Sequence, residues 1–277
     1  MSSLPAAPVV PLDTLAERIE DGAFVAVPPD YSFVAMAATR ALIQRGAQNL
    51  RLLATPQSGL QADLLIGAGC VASIETAAVS LGEHGAAPRF TAAAKAGSLN
   101  IIDSTCPAIH AALQASEKGI PFMPLRGIIG SDVLANRPDW KVTDNPFGGN
   151  DPIVLLPALK PDIALFHAPY ADRRGNVWIG RRRELATIAH AARETCVTVE
   201  EVRDIDLMAS EETAAGTLPG LYVSAIAEAP KGAWPLGLTD WYAADSAHLA
   251  HYAEIARTED GFNRYLDEFA PSAAAAE

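Results

Sequence analysis

Short, continuously apolar runs alternate with helix-patterned segments along this chain, and that alternation restricts the fold more than any other feature. "AFVAV", "NLRLLAT", "CVASIETAAV", "SLNIID", "IPFMPL", "PIVLLPAL", "DIALFHA" and "CVTVEEV" read as strands. They are too uniformly apolar for a sheet with one wet face, so helices must cover both sides. The intervening "LDTLAERIEDG", "FVAMAATRALIQRG", "LQADLLIGAG", "CPAIHAALQASEKG" and "RRELATIAHAARE" read as helices. Asp13 is the expected N-cap of the first, Gly22 and Gly46 stop the first two, and Pro107 suits a first turn. In "YADRRGNVWIG", Gly175-Asn176 predicts a turn between two short strand ends. The fold class that follows is α/β, an open, mainly parallel sheet with helices on both faces. "SAHLAHYAEIARTEDGFNRYLDEF" adds a helical C-terminal flank. No repeat or composition break divides the chain, so one domain over residues 1–277 is expected, with loose ends at 1–12 and 270–277.

Charged residues make up 19% of the chain, against 49% hydrophobic, and mean hydropathy is +0.12. A chain this apolar predicts a doubly covered sheet, a surface held against another subunit, or both. The net charge, 21 − 33 = −12, argues against nucleic acid or an anionic membrane as principal partner. It does not argue against anionic ligands, because local N–H groups and single arginines act at short range. Cys70, Cys106 and Cys196 form no CxxC and no zinc spacing, and His248 and His251 read as a solvated pair; no metal is expected. These features, with no basic start or apolar core for a leader, predict a cytoplasmic protein. No window reaches the roughly 18–20 apolar residues of a membrane span.

Several common chemistries are missing from the sequence: GxGxxG after the first strand, a P-loop, a GxSxG elbow and HExxH. What remains lies at strand-to-helix turns. "SLGEHG" sets Glu83 between glycines, as a nucleophile, a base or simply a solvated turn carboxylate. "TPQSGLQAD" offers Gln57, Ser58 and Gln61 where a helix begins, to hold an anion or carbonyl or only to cap. "IIDSTCPAIH" places Asp103, Thr105 and Cys106 at a helix start; the thiol is either activated there or buried and inert. "LRGIIGSD" supplies Arg126, Ser131 and Asp132, and Arg126 must face an anion or pair internally with Asp132. The run Arg181–Arg183 fits phosphates or a solvated helix start.

The succession "KGIPFMPLRGIIGSD", "DNPFGGNDPIVLLPALKPDIALFHAPYADRRGNVWIG" and "ELATIAHAARETCVTVEEV" resembles the α-type chain of class I coenzyme A transferases. Its nearest flavour is the glutaconate CoA-transferase α branch, which includes a steroid ring-opening CoA hydrolase. The likeness runs from about residue 15 to 265, and the pattern from Pro157 to Asn176 is its most telling part. The resemblance implies the open α/β fold of that superfamily and a homologous β subunit, in a heterotetramer or larger complex. It also implies a coenzyme A thioester as substrate, with no permanently bound cofactor. In most such enzymes the thioester is attacked by a glutamate in an S-E-N-G turn of the β chain, and a second carboxylic acid finally accepts the CoA. No S-E-N-G occurs here, so the nucleophile is expected on a separate chain, with Glu83 in the pseudo-equivalent turn. By the same resemblance Arg126 faces a substrate carboxylate or orders the interface, and Ser131 donates to the acyl carbonyl. Asp103 approximates the glutamate that relatives carry nearby, whereas Cys106 and the stiff Pro28-Pro29 turn depart from the pattern. The expected function is CoA transfer between an acyl-CoA and a carboxylic acid. Thioester hydrolysis, or a non-catalytic scaffold role, are the alternatives.

Overall fold

The strand β1 (Phe24–Val27) lies at the centre of the computed structural model, which describes residues 7–271, and its alternate side chains enter two different cores. Val25 and Val27 point to one face and Ala26 to the other, the period of two that a doubly covered strand requires. The remaining strands are β2 (Leu50–Ala54), β3 (Gln57–Ser58), β4 (Val71–Thr76), β5 (Ala78–Val79), β6 (Asn100–Asp103) and β7 (Phe122–Leu125). After these come β8 (Lys141–Asp144), β9 (Pro152–Pro157), β10 (Ile163–Asp172), β11 (Val177–Trp178), β12 (Glu194–Arg203), β13 (Thr217–Leu218) and β14 (Ala225–Glu228). The helices are α1 (Leu12–Glu17), α2 (Met36–Gln44), α3 (Leu60–Gly67), α4 (Pro88–Ala96) and α5 (Cys106–Glu117). They continue with α6 (Asp132–Ala135), α7 (Arg183–Ala191), α8 (Glu211–Ala214), α9 (Ser246–Ile255) and α10 (Glu259–Phe269).

Seven strands run parallel in the order β14-β12-β10-β1-β2-β4-β6, and β11 and β13 add an antiparallel margin beyond the end of β10. The chain builds outward from β1 in one direction and later from β10 in the other, so the topology switches between these two neighbours. Such a switch opens a crevice at the carboxyl ends of the strands. One face is covered by α1, α2, α3, α9 and α10, the other by α5 and α7. The open, mainly parallel α/β architecture expected from the sequence is the one observed.

A second, smaller sheet, β7-β9-β8, is wholly antiparallel. "IPFMPL" and "PIVLLPAL" therefore form a separate layer rather than extending the main sheet. Helix α5 lies between the two layers. Ile109 and Leu113 pack on the main sheet, while Ala108, Ala111 and Ala112 meet Ile128, Trp140, Val154 and Leu156 of the small one. Small alanine side chains let this second sheet approach closely.

Two local expectations are corrected. Helix α1 starts at Leu12 behind Pro11, so Asp13 sits in the first turn and favours the helix dipole rather than capping it. Of the opening residues expected to be loose, Pro8 and Val10 exchange backbone hydrogen bonds with Ile226 of β14 at 3.0 and 2.8 Å. Of the expected loose ends, residues 1–6 and 272–277 lie outside the described residues. Among the described residues no helix is long and apolar enough to cross a membrane.

Candidate active site

Beyond the carboxyl ends of β1 and β2 lies a cavity of about 390 Å³, bounded by Asp30, Gln57, Ser58, Ser80 and Glu83 and closed on one side by Leu236 and Leu249. Pairing of β3 with β5 sets Ser58 beside Val79 and brings the segment after β2 against the segment after β4. Gly59 makes the floor possible, since a Cβ there would lie 2.2 Å from Asp30 Oδ2 and 2.5 Å from the Ser80 carbonyl. With no side chain in the way, Asp30 Oδ2 accepts the Leu60 N–H at 2.9 Å, at the start of α3. Its other oxygen is buried without a partner among the described residues, and so is Ser58 Oγ.

Burial pushes the Asp30 carboxyl up to about 6, against the N–H groups of Leu60 and Gly59 and with help from the nearby Asp63 carboxylate. A carboxyl with that affinity exchanges protons near neutral pH, the property needed of an acid–base group. Glu83 is held differently. It rides a single 3₁₀ turn, Gly82–His84, and the flanking Gly82 and Gly85 take φ values of +62° and +92° that other residues rarely adopt. Its side chain is 79% exposed at the mouth of the cavity, with Oε1 3.7 Å from His84 Nε2. The site thus combines an exposed carboxylate, a buried proton-exchanging carboxyl and an unpartnered hydroxyl.

The residues singled out in the sequence fall into separate places. Gln57, Ser58 and Glu83 meet in this cavity. Gln61 is fully buried on α3, where its Nε2 donates to Thr39 Oγ1 at 3.0 Å, so it supports the floor from behind. Asp103 and Cys106 sit together at the β6–α5 corner with both side chains exposed; Thr105 Oγ1 caps α5 by accepting the Ala108 N–H at 3.3 Å. The reading of Cys106 as a buried thiol is therefore corrected. The buried thiols are Cys70 and Cys196, pushed up to about 11 and 12 by burial.

Arg126 pairs with Asp151, not with Asp132. It borders an apolar groove on the small sheet, while Ser131 Oγ donates to the Ile128 carbonyl at 2.8 Å and Asp132 opens α6 on the surface. None of these three lines the Glu83 cavity.

Sequence reasoning missed Asp30, because an aspartate after two prolines reads as an ordinary turn. It also missed a buried network that fixes one wall. His167 on β10 bonds Thr198 Oγ1 through Nδ1 and Glu200 Oε1 through Nε2, both at 2.9 Å. Tyr242 donates to the same Glu200 oxygen at 2.6 Å, and the Lys231 N–H donates to the other. Burial lowers the His167 pKa in spite of the carboxylate, so its ring favours the neutral form. The loop carrying Leu236 is thereby tied to the main sheet.

Comparison with known proteins agrees with this architecture. The coenzyme A transferase family model matches residues 11–229. Over 268 residues the chain is 32% identical to the A-type chain of 3-oxoadipate CoA-transferase from Pseudomonas knackmussii, covering 92% of each. A protein of Archaeoglobus fulgidus is 30% identical over 93% of this chain, which spans only 58% of that longer relative. Among solved structures, glutaconate coenzyme A-transferase of Acidaminococcus fermentans aligns with a TM-score of 0.86 at 27% identity, over 95% of this chain and 88% of that one. A variant of the decarboxylase AibA/AibB aligns with a TM-score of 0.83 at 30% identity, over 95% and 99%. This chain is a member of the coenzyme A transferase family.

Proposed function

We propose that this chain is the A-type half of a two-subunit enzyme that moves CoA from an acyl-CoA to a free carboxylic acid, and that it acts in the cytoplasm. The observation carrying this reading is the cavity at the switch point, where Glu83 and Asp30 present two carboxyl groups of opposite character around Ser58. In the transfer, an enzyme carboxylate attacks the thioester carbon and the C–S bond breaks. The departing thiolate then attacks the enzyme's carbonyl in the resulting anhydride, which frees the first acid and leaves an enzyme thioester. The acceptor carboxylate reverses these steps.

Relatives named as one chain of a multi-chain enzyme support a partner, and the attacking carboxylate is assigned to that partner. This chain then receives the acyl group. Ser58 Oγ, with no partner of its own, donates to an acyl oxygen, and Asp30 exchanges the proton that a bound acid brings. The groove beside Arg126 fits the subunit contact. Phe147 stands 97% exposed in the groove that Phe122, Ile153 and Leu155 also line, an apolar face that a second subunit would cover.

The test is thioester cleavage by the purified protein and whatever chain co-purifies, with and without added carboxylic acids. Acceptor-dependent turnover with a second chain present is the expected result. Cleavage that needs only water would replace transfer with hydrolysis. Activity in this chain alone, lost in Glu83→Gln, would move the nucleophile to Glu83.

A further inference from the structure

Two leucines close the acyl cavity on one side, and the fold holds them by different means. Leu249 belongs to α9, where Asp245 caps the first turn and the Tyr252 hydroxyl donates to the buried Asp63 carboxylate of α3 at 2.6 Å. Leu236 lies between β14 and α9, a stretch in which no helix or strand is found among the described residues. Regular backbone hydrogen bonding therefore does not fix its place, which depends on whatever fastens the loop.

One carboxylate fastens both ends of it. Glu200 of β12, its side chain 7% exposed, accepts the Lys231 N–H through Oε2 at 2.6 Å and the Gly232 N–H through Oε1 at 3.2 Å, both at the loop's entry. The same Oε1 accepts the Tyr242 hydroxyl at 2.6 Å, at the loop's exit. That hydroxyl oxygen in turn accepts the Ala233 N–H at 3.1 Å, so entry and exit also meet each other. Behind the carboxylate, His167 Nε2 lies 2.9 Å from Oε1; a carboxylate only accepts, so this nitrogen carries the proton and Nδ1 accepts from the Thr198 hydroxyl. Gly232 leaves no slack, since a Cβ there would lie 2.5 Å from His167 Cε1 and 2.6 Å from the Ala229 carbonyl oxygen. Leu236 sits between the two tethered ends. Glu200, His167 and Tyr242 do not themselves line the cavity, so their influence on it passes through Leu236.

We propose that Glu200 and Tyr242 are positioning residues for acyl selectivity. By drawing the two ends of the 231–242 loop together they set how far Leu236 reaches into the cavity, and so how large an acyl group fits. This inference rests on the CoA-transfer reading and assigns its size discrimination to a clasp outside the cavity. One methylene of misfit against an apolar wall is worth about 10–200-fold in selectivity. A loop that relaxes outward therefore changes the ranking of acyl groups more than it changes the chemistry at Ser58 and Asp30.

The test uses the purified protein, with any co-purifying chain, and S-alkyl-CoA thioethers from methyl to octyl. These have no carbonyl to attack and so report size selection without turnover. Tyr242→Phe removes the hydroxyl that meets both Glu200 and Ala233, Glu200→Gln weakens every tether at once, and Leu236→Ala shortens the wall itself. Both clasp variants are expected to speed amide exchange across residues 231–242 and to raise the affinity of the octyl relative to the methyl thioether by about tenfold. Leu236→Ala should give the same change of ranking at wild-type exchange rates. In turnover of the matching acyl-CoA series, the clasp variants should change KM differently for short and long acyl groups. A mere loss of folded protein would instead lower kcat alike for all of them and leave KM unchanged. Faster exchange with the wild-type ranking would overturn the inference. Unchanged exchange in both clasp variants, or an unchanged ranking in Leu236→Ala, would overturn it too. A wild type that binds none of the thioethers would sink the transfer reading and this inference with it. An altered ranking in a protein that cleaves thioesters with water alone would uphold the clasp while sinking transfer.

Discussion

Arg137 and Glu75 form a buried ion pair, Nη1 to Oε1 at 2.7 Å, that joins the loop before β8 to the carboxyl end of β4. Both side chains are at most 7% exposed. The same guanidinium donates to the Asp103 carbonyl at 3.1 Å, pairs with Asp139 and lies 4.2 Å from the Trp140 ring centroid. One cation thus fastens the small sheet to the edge of the main one. Arg137→Met strands the Glu75 carboxylate in a buried position and should lower stability by about 3–5 kcal/mol. Replacing both partners with apolar residues should recover much of that loss. Chemical denaturation of the two variants reads the difference.

The pH dependence of Asp30 has a definite sign. Its folded pKa, raised from 3.8 to about 6, means the native state holds a proton that the unfolded chain has already released. Its stabilising contribution is complete below about pH 3.8 and is lost as pH rises through about 6. Asp30→Asn keeps a carbonyl oxygen for the Leu60 N–H but does not ionise. Its stability relative to wild type should rise between pH 4 and pH 7, by up to about 3 kcal/mol at the upper end. Paired denaturation curves across that range test it, and a constant difference would refute the buried proton.

Gly59 should tolerate no side chain. Alanine there meets Asp30 Oδ2 and the Ser80 carbonyl well inside contact distance, and one of those is backbone. Gly59→Ala is expected to cost about 1–3 kcal/mol. It should also reduce turnover more than stability alone explains, because the cavity floor must shift. Activity measured well below the melting temperature separates the two effects.

Phe147 offers the opposite contrast. It is almost fully exposed, so Phe147→Ser should change the stability of the isolated chain by no more than ~0.5 kcal/mol. Co-purification of the partner should fall sharply if that face is the subunit contact. Native mass measurement of the two proteins decides it.

Much of the main sheet is legible because buried parallel strands carry uninterrupted apolar runs. β1, β2, β4 and β6 fall within segments marked by that signal, and β10 and β12 are marked by it over part of their length. The same signal does not say which sheet a run joins, and β7 and β9 therefore looked like further members of the main one. β8, "KVTD", is exposed throughout and carries no apolar pattern to find. At the site, Glu83 announces itself through its flanking glycines. Asp30 does not, because its depth is created by Gly59 and Ser80, segments distant in sequence that close over it. Arg126 invited a role through its apolar neighbours, whereas Arg137, in the turn-like "NRPDW", anchors the molecule without any local sign.

The wall formed by Leu236 and Leu249 lies past residue 229, where the family match ends. It is held to the main sheet by the Glu200 network rather than by belonging to a strand. The carboxyl groups of the cavity and the Leu236–Leu249 wall are thus carried by different parts of the polypeptide. Under the transfer reading, evolution can exchange that barrier for a longer or shorter one and so change which acids are accepted, while the carboxylates and the switch point stay where they are.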